Sequence, residues 1–166
     1  MPAPTPAPTP APTPTPTLAE VEEQERRLVL PGFDNDDAWR LGVLLVELAR
    51  ERGAAVAVDV RRNGQQLFHA ALPGTSADND EWIKRKVRTV DRYGASSLLV
   101  QLRFAAKGGS FEERSRLDPG RYAAHGGAFP ITVAGVGVVG TVAVSGLPQL
   151  ADHALVVEAL ERFLAG

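Results

Sequence analysis

Three histidines, one dense basic run and a late series of glycines are the groups in this sequence with chemistry to offer. Neutral imidazole ligates metals and haem iron and exchanges protons near neutral pH, but His69, His125 and His153 have no metal-ligand spacing among themselves. Asp152 and His153 are adjacent, so on a helix they point about 100° apart and form no dyad without a partner from elsewhere. Lys84, Arg85, Lys86, Arg88 and Arg92 face a single acid, Asp91. That concentration can clamp a carboxylate, a phosphate or a haem propionate. It can equally be a solvated helix face or a subunit contact with the acidic first helix. Gly135, Gly137 and Gly140 spell GxGxxG, the dinucleotide fingerprint, which requires a strand before it and a helix after it. The residues that follow, TVAVSG, are β-branched and alternating and continue a strand, where glycine marks a bulge or a close approach. Ser145 is not in a GxSxG elbow, because position 143 is alanine.

These groups need elements to hold them. Thr17-Leu-Ala-Glu20 fits a capping box, with Leu18, Val21 and Leu28 as the apolar edge of a short helix broken at Pro31-Gly32. Asp34 or Asn35 can cap the next helix, with Asp36 and Asp37 favouring its positive end. The same carboxylates could hold a divalent cation. Trp39, Val43, Val46 and Ala49 recur at helical spacing, and Gly53 stops the helix. Asn63-Gly64 between two apolar-rich runs predicts a type I′ hairpin. A two-residue loop sets Arg62 opposite Gln65 and Val58 opposite His69, which places His69 on the face of Val56, Val58 and Val60. There it is either a satisfied core residue or a contact to a ligand, including axial ligation of haem. Residues 79–93 form a helix buried along Trp82, Ile83, Val87 and Val90, with the basic run outside, and Gly94 ends it. A shorter helix follows at 95–105. Residues 107–127 lack periodicity and predict a functional or subunit-embracing loop. FPITVAGVGVVGTVAVSG reads as strand, and a closing helix turns Leu150, Ala154, Val157, Leu160 and Leu164 inward.

Composition narrows the class. The chain has 166 residues, no cysteine, a formal charge of −2 and 13 prolines. Without cysteine there is no disulfide framework, zinc ribbon or thiolate nucleophile. The charge balance argues against nucleic acid as partner, no apolar run approaches the ~18–20 residues that span a bilayer, and MPAPTPAPTP lacks the regions of a secretory signal. The expectation is a cytoplasmic protein without a membrane partner. Residues 1–17 read as a disordered, stiff polyproline-II-like tail, a spacer or a ligand for an SH3- or WW-type groove. Residues 18–166 make one domain.

HGGAFPI at 125–131, GVGVVGTVAVSGLPQ at 135–149, and Asp152-His153 resemble the haem-degrading-domain superfamily (GlcG/HbpS-like), specifically its short cytosolic branch. FDNDDAW, LPGT and WIKRK resemble it in the same order. The resemblance covers about residues 18–165. It implies an α/β (α+β) domain, profilin-like, with a mainly antiparallel central sheet flanked by helices, and assembly into dimers or larger rings. It maps the turn at 126–130, which includes Gly126, Gly127 and Phe129, and the helix start at Asp152 and His153 onto a family pocket. No established catalytic residue transfers.

The expected function is a homo-oligomeric domain binding a small anionic ligand, haem being the candidate cofactor. Arg85 and Lys86 would hold the negative charge, Gly126 and Gly127 would admit the backbone, and His125 or His69 would be the adjustable polar contact. A structural or adaptor protein, with the glycine-rich strand serving assembly, is one alternative. A haem-degrading or other small-molecule enzyme is another.

Overall fold

The computed structural model describes residues 11–166; the rest of the predicted tail, residues 1–10, lies outside the described residues. Residues 11–17 have no regular secondary structure. In chain order the elements are α1 (Leu18–Arg27), β1 (Val29–Leu30), α2 (Asn35–Glu51), β2 (Ala57–Arg62), β3 (Gln65–Ala71), α3 (Ala77–Tyr93), α4 (Ser97–Ala106), α5 (Phe111–Ser115), β4 (Ala128–Val133), β5 (Gly137–Ser145) and α6 (Gln149–Ala165). The strands form one five-stranded sheet in the order β1-β4-β5-β2-β3, antiparallel except for the short β1–β4 pair. This is the expected mixed fold, with helices on both faces of a mainly antiparallel sheet.

Strand alternation divides the core in two. Val58, Val60, Val142, Val144, Phe129 and Ile131 face α2 and α6. The other side presents small residues, Ala57, Ala128 and Ala143, against Ile83, Val87 and Val90 of α3. Small side chains let α3 approach the sheet closely. A third cluster, around Val21, Leu98, Leu99 and Phe111, ties α1, α4 and α5 together.

The caps read from sequence form. Thr17 and Glu20 close a capping box on α1, Asp34 and Asp37 close one on α2, and Gly94 ends α3 in the left-handed conformation. The glycine fingerprint lies in the β4–β5 hairpin: Gly135 and Gly137 have positive φ at the turn, and β5 continues through Gly140. A Cβ at Gly140 would collide with the Arg61 carbonyl of β2. Nothing here cradles a pyrophosphate.

Three expectations are corrected. The hairpin turn is as predicted, with Asn63 and Gly64 both at positive φ and Arg62 opposite Gln65. A β-bulge then leaves Leu67 unpaired, so Val60 faces Phe68 and Asp59 faces His69. One extra residue turns every later side chain over, and His69 leaves the valine face for the α3 side. In α2 the buried stripe is Ala38, Leu41, Leu45, Leu48 and Ala49, while Trp39 is 63% exposed and Val43 and Val46 are half-buried. Two neighbouring stripes of that helix are apolar, through Leu41-Leu45-Leu48 and Trp39-Val43-Val46, so periodicity alone did not choose between them. In α6, Val157 and Leu160 are inside as expected, but Ala154 is exposed and Leu155, Val156 and Ala159 are buried.

Candidate functional site

The basic run of α3 does not form one surface. Lys84 pairs with Glu81, Arg88 donates to the Arg121 carbonyl, and Arg92 lies 5.8 Å from the Tyr122 ring centroid. Lys86, expected on the exposed side, is 2% exposed. Its position follows from helical spacing: it stands three residues after Ile83 and four before Val90, on the sheet-facing stripe. The ammonium lies 2.6 Å from the Val144 carbonyl, 3.2 Å from the Gly126 carbonyl and 3.5 Å from Asp152 Oδ2. Three donors thus meet three acceptors, one each from β5, the approach to β4, and α6.

Around this lysine, α3, the end of β5 and the start of α6 enclose a cleft of about 230 Å³. Lys86, His125, Gly126 and Asp152 line it together with Trp82, and Asn79, Ser145 and Gln149 supply further polar groups. Asp78 lies at the same cleft, a second carboxylate. The His125 ring packs edge-on against Trp82 with centroids 5.1 Å apart. The Arg85 guanidinium covers the indole at 3.9 Å, so the mouth carries a stacked cation–aromatic pair. Gln149 Oε1 accepts from the Gly126 amide and from Gln101, which anchors the glycine turn to α6.

Burial sets the protonation chemistry. Asp152 is pushed up to about 6 by burial, against the opposing pull of Lys86 and of the Leu147 amide that donates to it. Burial lowers Lys86, with Asp152 opposing. Burial lowers His125 too, helped by Lys86 and Arg85 and opposed by Glu112, so its imidazole is held neutral. The cleft therefore combines a desolvated ammonium, a carboxyl that changes charge just below neutrality and a neutral ring.

The other expected residues stand elsewhere. Gly127 is behind the cleft at φ 128°, and a Cβ there would meet Lys86 Nζ and the Val144 carbonyl. The close approach it permits is made by this chain's own groups. Phe129 is in the core facing α6, its ring 6.0 Å from that of His153. His153 turns away from Asp152, as adjacent helical positions require. Its Nε2 is 2.7 Å from Gln24 Oε1, its Nδ1 is buried without a partner, and burial lowers its pKa to about 4. It borders a separate groove of about 810 Å³ between α1 and α6. His69 Nε2 pairs with Asp80 Oδ1 at 2.7 Å beside Asp59, on the outer part of the hairpin. No group of three or more His, Asp or Glu among the described residues is arranged to hold a metal ion.

Sequence reasoning missed Trp82, Asn79, Ser145 and Gln149 as cleft residues. Trp82 was legible only as an apolar helix position, and Ser145 only as a failed nucleophile elbow. Their convergence comes from elements far apart in the chain.

The sequence model of a family described as HbpS-like, haem degrading protein HbpS-like, matches residues 33–161. A UPF0303 protein of Streptomyces coelicolor is 72% identical over 147 residues, 89% of this chain and 93% of the relative. The crystal structure of Ybr137w protein superposes with a TM-score of 0.81 at 34% identity, covering 89% of this chain and 87% of that one. The PduOC:Heme complex superposes with a TM-score of 0.67 at 18% identity, covering 78% of this chain and 94% of that one, a likeness of fold.

Proposed function

The chain belongs to the HbpS-like family of haem degrading proteins, and from that premise we propose that it binds a small anionic molecule by its acid group in the cleft beside Lys86. The observation that carries this reading is a lysine ammonium buried at 2% exposure on the floor of a polar cleft. Its field favours negative charge, and burial leaves that field poorly screened. The Trp82–Arg85 stack gives a flat rim for the remainder of the ligand.

Haem is the first ligand to test, because a neighbour of the same fold is a haem complex. The cleft, at about 230 Å³, falls below the roughly 300–1,000 Å³ of enclosed small-molecule sites. It does not swallow a tetrapyrrole. A propionate fits it, with the macrocycle outside against Trp82 and His125, whose neutral imidazole suits iron. Bound haem would supply a redox-active iron. The chain's own residues would attract the acid group through the charges of Lys86, whose donors are taken by its own carbonyls and Asp152, and of Arg85, and would present the ring nitrogen of His125. In this reading residues 18–166 form the binding domain, the preceding arm is a spacer, and the protein works in the cytoplasm.

The test is titration of the full chain with haemin, followed in the Soret band. Wild type and His69→Ala should give the same shifted band, while His125→Ala shifts it elsewhere and Arg85→Ala weakens binding about tenfold. Identical spectra and affinities for wild type, His125→Ala and Arg85→Ala would remove haem from this cleft.

A further inference from the structure

The cleft beside Lys86 holds a buried hydroxyl that the fold does not use. Ser145 is 5% exposed. It stands two residues after Ala143 on β5, so strand alternation turns it to the same side, toward α3 and the cleft. The hydrogen bonds around the cleft run from Lys86, Gln101 and the Ser76, Gly126 and Leu147 amides, and none of them uses the Ser145 hydroxyl. Burying a polar group without a partner is costly, and a fold that keeps one points to an external group that pairs with it. Two side-chain amides join this hydroxyl. Asn79 Oδ1 accepts from the Ser76 amide at 2.9 Å, and Gln149 Oε1 accepts from the Gly126 amide at 3.0 Å. A backbone N–H only donates, so each side-chain oxygen is fixed on that side. The Nδ2 of Asn79 and the Nε2 of Gln149 are left to donate elsewhere, and both residues line the cleft.

Lys86 acts differently. Its donors are spent on this chain's own carbonyls and Asp152, so it attracts an anion by charge while neutral groups make the bonds. The helix ends add to that charge. Asn79 and Gln149 line the cleft from the first turns of α3 and α6. The N-cap of α6 is Pro148, with no side-chain cap, which leaves the partial positive charge of that end for an external anion. Ser145, Gln149 and the α6 end thus form a carboxylate seat on one side, and Asp78 and Asn79 border the other. There Asp78 accepts while Asn79 Nδ2 donates, which suits a hydroxyl, able to do both. An ammonium would meet the field of Lys86, and a second carboxylate would meet Asp78. The volume of about 230 Å³ has room for about seven or eight non-hydrogen atoms at about 30 Å³ each, the share of a water.

We infer that the cleft takes in the whole of a short hydroxycarboxylic acid, with Ser145 and Gln149 donating to its carboxylate and Asp78 and Asn79 bonding its hydroxyl. This rests on the anion-binding reading of the Lys86 cleft and narrows it to a ligand class and to the residues that make the bonds.

Calorimetric titration of the full chain tests it, with β-hydroxybutyrate, butyrate, β-aminobutyrate and succinate as probes. β-Hydroxybutyrate should bind with a millimolar or lower dissociation constant, and the other three about tenfold more weakly, the worth of one hydrogen bond. Ser145→Ala, with an unchanged circular dichroism spectrum, should weaken β-hydroxybutyrate and butyrate alike by about tenfold and keep the preference between them. Gln149→Glu retains the oxygen that holds the Gly126 amide and loses the donor, so it should weaken all four acids. Asp78→Ala should bring butyrate close to β-hydroxybutyrate and strengthen succinate, a change of preference that a merely structural role would not produce. Equal affinity for butyrate and β-hydroxybutyrate in wild type would overturn the inference, as would binding unmoved by Ser145→Ala and Asp78→Ala. Haemin binding weakened by Arg85→Ala, with none of the four acids bound, would leave the anion cleft standing and overturn this ligand class alone. Binding of neither haemin nor any acid would strike both.

Discussion

Lys86 shows how one residue can carry both structure and chemistry. Its ammonium joins β5, the glycine turn and α6 through three acceptors, so removing it leaves two carbonyls and a carboxylate without their donor. Breaking a buried pair from one side costs about 3–5 kcal/mol. Asp152, already raised to about 6, can take up a proton in response, so the expected loss for Lys86→Ala is about 3 kcal/mol, at the lower end of that range. Urea unfolding checks it, and Lys86→Ala with Asp152→Ala should cost less than the sum of the two single changes. The same carboxyl sets a pH dependence for the proposed ligand site. Below about 6 Asp152 becomes neutral, which removes the negative charge beside Lys86, with Asp78 at the cleft and Glu112 near His125 the other carboxyl groups there. Affinity for an anionic ligand should therefore rise about tenfold between pH 7.5 and 5.5. Asp152→Asn should bind as tightly at pH 7.5 as wild type does at 5.5; a pH-independent wild type would refute the assignment.

At the scale of elements, the glycines of the GxGxxG string are distinguished by what lies beside them. Gly135 has φ 73° at the hairpin turn with open space around it, whereas a Cβ at Gly140 would strike the backbone of β2. Gly135→Asn should cost under about 1 kcal/mol, because asparagine tolerates the left-handed region. Gly140→Ala should cost about 3 kcal/mol, the upper end for overpacking, since a neighbouring strand cannot step aside. Thermal melts of the two variants check this, and comparable losses at both positions would contradict the hairpin placement. Helix ends offer a second check. Asp34→Ala removes the acceptor that holds the Asp37 amide and should lower stability by about 1 kcal/mol.

For the whole molecule, two buried groups of α6 act on stability in opposite directions. His153 is lowered to about 4 from 6.5. The folded chain thus resists protonating it, and the stability it contributes is present above pH 6.5 and lost as pH falls through about 4. Over that window the loss is on the order of 3 kcal/mol, at about 1.4 kcal/mol per pH unit. Asp152 is raised to about 6 from 3.8, so its contribution is complete below 3.8 and lost as pH rises through about 6. The two partly cancel between pH 6 and 4. Denaturant unfolding across this range should show Asp152→Asn losing stability more steeply on acidification than wild type, and His153→Leu losing it less steeply. Parallel curves for all three proteins would contradict the burial of these groups.

Local features were legible in the chain because their causes are local. The capping box at Thr17, a helix cap at Asp34 or Asn35, the Asn63-Gly64 turn, the Gly94 stop and the strand character after Gly140 each depend on a few neighbouring residues and on backbone preference. From these followed the expectation of helices on a mainly antiparallel sheet, and the resemblance of HGGAFPI and GVGVVGTVAVSGLPQ gave the family. Three matters were settled only by tertiary packing. A single unpaired residue at Leu67 moved His69 to the opposite face, because strand parity carries no memory across a bulge. In α2, where two adjacent stripes are apolar, the sheet took the leucine stripe and left Trp39 outside. Lys86 looked like one more charge in a basic run, yet the acceptors that make its burial tolerable come from residues 126, 144 and 152. No local pattern records a partner that only the folded chain brings within hydrogen-bonding distance.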